Sequence, residues 1–116
     1  MNFSNYLEQQ LLGVTLLGSL FTAPATVYLA MGTTIASDAD FFAEVTTNLG
    51  YGRLPIDFSA PTSPNDWTVA SSADVTFLAA TTPWGNILHF AIFDAETIDT
   101  GNMLYWGDLQ SPRDVQ

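Results

Sequence analysis

The chain contains one histidine, His89. Histidine is the side chain that most often transfers protons in catalysis. Nucleophilic catalysis requires a serine or cysteine beside a base, and a third group that orients the base. No such signature flanks His89. The residue is instead in phase with Ile87, Ala91 and Phe93 in an apolar run that is typical of a β-strand. We therefore predict that His89 is a structural residue in the core or at an interface, and not a base or a metal ligand.

Two short acidic segments could supply the oxygen ligands that calcium prefers. They contain Asp38, Asp40 and Glu44 in the first case and Asp94, Glu96 and Asp99 in the second. Neither has the spacing of a helix-loop-helix calcium site, because the required glycine and terminal glutamate are missing. The chain has no cysteine and no phosphate-binding glycine loop. We predict solvated acidic loops, no metal, no cofactor and no enzymatic activity; paired carboxylates for glycoside hydrolysis would need a cleft that so short a chain does not suggest.

Four large aromatic residues could line a sugar-binding platform or, more commonly, a core and an interface. These residues are Trp67, Trp84, Tyr105 and Trp106. The chain has twelve carboxylate residues but only two basic residues, Arg53 and Arg113. Each arginine is therefore a candidate partner for a carboxylate on this chain or on a neighbour, with a solvated guanidinium as the alternative. We predict that all six residues are interface candidates.

The charge balance excludes several classes of partner. The net charge of −10 predicts repulsion from nucleic acid and from anionic lipid. The apolar run at residues 11–21 is too short to span a bilayer, and no basic residue precedes it, as a secretory signal would require. We expect neither a nucleic acid nor a membrane as a partner.

The apolar periodicity predicts one domain, residues 1–116, with an N-terminal amphipathic helix at about residues 4–17. Ser4 or Asn5 can cap this helix, and Gly18 is a plausible stop. Alternating and β-branched runs predict strands between residues 26 and 109, and Pro55 places its strand at a sheet edge. The predicted strands are 26–33, 53–59, 67–70, 74–78, 86–93 and 103–109, with a hairpin loop at 94–102. The expected fold is mainly β: an antiparallel β-sandwich with one helix.

Short segments along nearly the whole chain resemble, in order, a family of small tailed-bacteriophage virion proteins that are often labelled tail fibre-like. The most specific segment runs from Trp84-Gly85 to Phe93-Asp94. The other matching segments are 5–7, 22–30, 50–53, 58–61, 73–77 and 101–109. The family has no established active site. The resemblance therefore implies a non-enzymatic virion component, assembled in the host cytoplasm, that binds copies of itself and other virion proteins.

The position on the particle has to be argued from physical properties. Fibres usually have elongated repeats or coiled-coil heptads, and this chain has neither. A compact acidic domain suits a cement or decoration protein that bridges capsomers on the outer head surface and binds the major capsid protein. The alternatives are a tail fibre or baseplate accessory protein and, after it, a glycan-binding adhesin domain. We also predict a homo-oligomer, a trimer, formed through the aromatic surface between Val75 and Leu109.

Overall fold

A computed structural model of the chain describes residues 2–33, 43–45, 50–60, 75–77, 79–98 and 100–115, without the side chains of 110–115. Its strands form one antiparallel sheet in the order β1–β5–β4–β2–β3. The strands are β1 Asn2–Phe3, β2 Val27–Gly32, β3 Leu54–Ile56, β4 Gly85–Phe93 and β5 Met103–Val115. The mainly-β antiparallel fold with an N-terminal helix is therefore as predicted. The described strands all belong to one sheet, so the second layer of a sandwich stays a prediction.

The N-terminal helix begins and ends where its local signals predict. Helix α1 covers Asn5–Leu12 and continues as a π-helical turn over Gly13–Leu17. The Ser4 hydroxyl accepts a hydrogen bond from the Leu7 amide at 3.1 Å and caps the first turn. Gly18 ends the helix in the left-handed conformation, with φ of 69°. The predicted bounds of 4–17 are confirmed to within one residue. No helix in the described part of the chain is long and apolar enough to cross a bilayer.

Strand β4 is central, because it pairs with both β2 and β5. Its buried residues Ile87, His89 and Ala91 alternate with more exposed ones, as expected for a strand that packs one face on a core. Residues of β4 belong to two apolar clusters. One contains Ala30, Ala91, Phe93 and Met103, and the other contains Val45, Tyr51, Trp84 and Ile87.

The predicted loop at 94–102 does join β4 to β5. The Asn102 amide donates to Asp94 Oδ1 at 2.6 Å, and Asn102 Nδ2 donates to Asp94 Oδ2 at 3.1 Å. Gly101 adopts φ of 77° beside this contact. The loop is therefore closed by a carboxylate of the second acidic segment.

Other strand predictions need correction. Residues 75–77 are not in a strand. Phe77 packs its ring against Tyr51 and Trp84 instead, so its β-propensity reflects packing and not strand pairing. β5 continues to Val115, beyond the predicted end at residue 109. β3 is shorter than predicted, although it is an edge strand as Pro55 indicated. Phe58, which the predicted strand 53–59 included, follows β3 and is exposed. The predicted strand 67–70 lies outside the described residues.

Candidate interaction surfaces

Arg53, predicted as an interface residue, lies inside the fold. Its Nε and Nη2 donate to the two carboxylate oxygens of Glu44, each at 2.8 Å. Its Nη1 donates to the carbonyl oxygens of Ala95 at 2.8 Å and Thr100 at 3.0 Å. The side chains of Arg53 and Glu44 are 1% and 3% exposed. A buried guanidinium must have its donors satisfied. The carboxylate partner of Arg53 is therefore on this chain, which is one of the alternatives that the sequence left open.

Two aromatic rings complete this buried pair. The Arg53 guanidinium carbon lies 3.8 Å from the centre of the Phe93 ring, a cation–π geometry. The Tyr51 hydroxyl donates to Glu44 Oε2 at 2.6 Å and accepts from the Met31 amide at 3.0 Å. Burial raises the pKa of Tyr51, and its hydrogen bond to Glu44 raises that pKa further. Tyr51 therefore stays neutral into strongly alkaline solution.

The prediction of solvated acidic loops is wrong for Glu44, whose side chain is 3% exposed because it pairs with Arg53. Both Glu44 oxygens accept hydrogen bonds from Arg53, and both Asp94 oxygens accept from Asn102. Within the described ranges, no group of three or more His, Cys, Asp or Glu side chains is placed to hold a metal ion. Three members of the two acidic segments, namely Asp38, Asp40 and Asp99, lie outside those ranges.

His89 is buried within β4, in the position that the strand phase predicts. Its Nδ1 lies 2.6 Å from Asp108 Oδ1 on β5, whose side chain is 71% exposed. The two atoms are close, yet the angles do not meet those of a hydrogen bond, and Nε2 has no partner in the described part of the structure. The short Nδ1–Oδ1 distance nevertheless shows that the two side chains are in contact. The structural role of His89 stays a prediction.

Three of the four aromatic interface candidates pack against other residues of this chain. Trp84 is buried, with its ring edge-to-face against Tyr51 at 5.4 Å between ring centres. It cannot offer its face to a sugar ring in this conformation. Tyr105 makes an edge contact with Phe3 at 5.3 Å, and Trp106 packs against the cluster around Phe93. The remaining candidates are Trp67 and the side chain of Arg113, which lie outside the part of the chain that the structure describes.

The most exposed apolar side chains lie at the end of the N-terminal helix and just beyond it. Leu16, Leu17 and Leu20 are 74%, 81% and 96% exposed. Leu12 and Val14 are exposed as well, and we refer to these five side chains together as the apolar helix surface. The amphipathic pattern predicted that the helix would pack its apolar residues on the core, yet Leu7 is the one buried residue of α1.

A pocket adjoins this surface at the start of the helix. Its volume is about 220 Å³, and it is lined by Phe3, Glu8, Leu11 and Leu12. Leu12 thus belongs both to the pocket and to the apolar helix surface. One sequence signal could have located the exposed leucines: they lie within residues 9–37, which contain no charged side chain.

Comparison with known proteins adds the family. No curated protein matches the chain. A family model described as Podophage GP4 fiber I protein gp80 matches residues 2–116, which is nearly the complete sequence and agrees with the resemblance to tail fibre-like virion proteins. The chain therefore belongs to the family described as Podophage GP4 fiber I protein gp80, a family of bacteriophage virion components.

Proposed function

We propose that the chain is a structural component of a tail fibre in a tailed bacteriophage, and that it binds other virion proteins without catalysing a reaction. The observation that supports this proposal is the match to a fibre-protein family over residues 2–116. The match favours the tail alternative over the capsid cement protein that composition had suggested. The cement prediction rested on compactness and charge, and an acidic, compact domain is equally suited to be a module of a fibre.

The buried network supports the non-enzymatic part of the proposal. Arg53, Glu44 and Tyr51 are ionisable groups that are partnered with one another inside the fold. His89 is also buried. A general acid or base has to come within hydrogen-bond reach of its substrate, and these side chains are enclosed by protein. Their arrangement stabilises the fold, which supports a structural role for these groups.

The apolar helix surface supports binding as the mode of action. Large apolar side chains that are exposed within one short segment are typical of protein–protein contact sites. Exposed ion pairs contribute only about 0 to 1 kcal/mol each. An acidic protein that is anchored in an assembly therefore depends mainly on apolar contacts, supplemented by many copies binding together. Leu16, Leu17 and Leu20 provide such contacts.

The test is to compare phage particles with and without this protein. We expect particles that lack it to keep heads of normal heat and osmotic resistance, to lose a fibre in electron micrographs and to adsorb poorly to host cells. Quantitative mass spectrometry of complete virions should find a low copy number, as expected for a tail part. Fragile heads with normal adsorption, together with a copy number in the hundreds, would instead identify a cement protein.

A further inference from the structure

We infer that the pocket between β1 and helix α1 binds an arginine side chain of another virion protein. Phe3, Glu8, Leu11 and Leu12 line this pocket, whose volume is about 220 Å³. The inference rests on the proposed function, because it assigns a site and a chemistry to the partner that a virion component binds. It adds a carboxylate and an aromatic ring to the apolar contacts described above.

The size of the pocket suits one side chain better than a free small molecule. Pockets that bind cofactors and other small molecules usually enclose about 300 to 1,000 Å³, which is more than the volume of about 220 Å³ found here. One wall is held in place by the sheet. Phe3 belongs to β1, which pairs with β5, and its ring packs edge-to-face on Tyr105 at 5.3 Å between ring centres.

The other wall is one face of helix α1. Glu8, Leu11 and Leu12 are spaced i, i+3 and i+4, so their side chains are neighbours on the helix surface. Leu11 is half-buried, whereas Glu8 and Leu12 are exposed. The pocket thus combines apolar side chains with one carboxylate. A side chain with a long aliphatic stem and a cationic end matches both parts, and lysine and arginine have this form.

The aromatic ring favours arginine over lysine. A guanidinium stacks on an aromatic face and binds a carboxylate through two N–H groups, which an ammonium does not match. The interior of this chain shows the same combination: Arg53 lies 3.8 Å from the centre of the Phe93 ring and pairs with both oxygens of Glu44. At the pocket, Phe3 and Glu8 supply the ring and the carboxylate, and Phe3 is 46% exposed. No cation in the described part of the chain pairs with either of them.

The charge balance of the chain indicates that the arginine belongs to another protein. The chain has two arginines, no lysine and a net charge of −10, and Arg53 is buried against Glu44. A second copy is repelled, whereas a protein with exposed basic residues is attracted. Because a single exposed ion pair is weak, one such contact gives low affinity, and several copies bound in one assembly strengthen it.

An NMR titration tests the chemistry of the pocket. The probe is a synthetic pentapeptide, acetyl-Gly-Ser-Arg-Ser-Gly-amide, compared with peptides that carry lysine, citrulline or norleucine in place of the arginine. We expect the arginine peptide to cause saturable shifts at the amides of the four lining residues, the lysine peptide to bind more weakly, and the two uncharged peptides to cause no such shifts. Equal binding of the arginine and norleucine peptides would overturn the inference.

Substitutions show which side chains bind the probe. Glu8→Gln removes the charge and keeps the shape, so it should weaken binding about five-fold, the upper range for an exposed ion pair. Phe3→Leu removes the ring and keeps an apolar side chain, and should weaken binding about three-fold. Glu96→Gln is the matched control, because Glu96 is an exposed carboxylate in the loop at 94–102. It should bind as wild type does. An equal loss from Glu96→Gln and Glu8→Gln would mean general charge attraction and would contradict the inference.

Photo-cross-linking in complete virions identifies the source of the arginine. Thr15 is exposed and lies one helical turn beyond the pocket, so p-benzoylphenylalanine in its place leaves the four lining residues intact. Mass spectrometry should map the product to an arginine-containing segment of a different virion protein, and the same substitution at Thr97 should not give that product. A product with a second copy of this chain, a product without arginine, or no product would each overturn the inference. The proposed function is tested separately, because the loss of a fibre from particles that lack the protein does not depend on the pocket.

Discussion

The guanidinium of Arg53 and the carboxylate of Glu44 form a two-point ion pair, with Nε–Oε2 and Nη2–Oε1 distances of 2.8 Å each. Arg53 immediately precedes β3, and Glu44 forms a bridge with Gly32 at the end of β2. The pair therefore fixes two connecting segments against the sheet. Because both side chains are almost fully buried, neither can lose its partner without leaving a charge unpaired in the interior.

We predict that Arg53→Met and Glu44→Leu will each lower the free energy of unfolding by about 3 to 5 kcal/mol, the usual cost of breaking a buried ion pair from one side. The double variant should lose much less than the sum, because it leaves no buried charge unpaired. Urea denaturation followed by tryptophan fluorescence measures all three. Glu8→Leu is the control: Glu8 is exposed in the first helical turn, and its loss should cost less than about 1 kcal/mol. Strictly additive costs would show that the two charges are not coupled.

Tyr51 makes the stability of the fold sensitive to alkaline pH. Burial and the hydrogen bond to Glu44 raise the pKa of Tyr51 in the folded chain, whereas an unfolded tyrosine ionises near pH 10. The folded state therefore retains a proton that the unfolded state releases. The contribution of Tyr51 to the free energy of unfolding is fully present below about pH 10. Above that pH it decreases by up to about 1.4 kcal/mol per pH unit.

The variant Tyr51→Phe should remove this alkaline dependence. At neutral pH it should cost about 1 to 3 kcal/mol, because Glu44 Oε2 and the Met31 amide each lose a hydrogen-bond partner. Thermal unfolding from pH 7 to 11 measures both effects, and the difference between the two proteins should narrow above pH 10. Tyr6→Phe, at a less buried helical position, is the matched control. A constant difference across the whole pH range would contradict the prediction.

His89 is predicted to contribute to stability and not to chemistry. His89→Gln should lower the free energy of unfolding by about 1 to 3 kcal/mol, through loss of the buried ring and its contact with Asp108. Asp108→Asn should cost less than about 1 kcal/mol, because the Asp108 side chain is 71% exposed and its charge is screened by water. Chemical denaturation at pH 7 compares the two variants. A larger loss from Asp108→Asn than from His89→Gln would mean that the contact matters more than the packing.

Gly101 and Gly18 allow backbone strain to be separated from a steric clash. Both have positive φ, at 77° and 69°. A Cβ at Gly101 would lie 2.5 Å from Asp94 Oδ1 and from Ala95 Cβ, whereas one at Gly18 would meet nothing within 4 Å. Gly18→Ala should therefore cost about 1 kcal/mol for the left-handed conformation alone. Gly101→Ala should cost clearly more, measured by thermal unfolding. Equal costs would indicate that the hairpin loop adjusts freely.

The sequence by itself determined those features that depend on neighbouring residues. The Ser4 cap and the Gly18 stop define the helix, because capping uses atoms within one turn. The strand that precedes residue 94 and the hairpin that follows it were evident from an apolar run bounded by turn residues. Pro55 marked an edge strand because proline has no amide proton for a ladder. The family was also recognisable from ordered local segments.

The tertiary structure alone decided which side chains come together across the chain. Arg53 and Glu44 are separated by nine residues, and Arg53 also reaches carbonyl groups more than forty residues away. No periodicity encodes such contacts, so the sequence could not show that Arg53, an interface candidate, is buried. The same holds for the helix. Its apolar spacing predicts a buried face, but whether a face is covered depends on what packs against it. In this fold Leu7 is covered and Leu16, Leu17 and Leu20 remain in water.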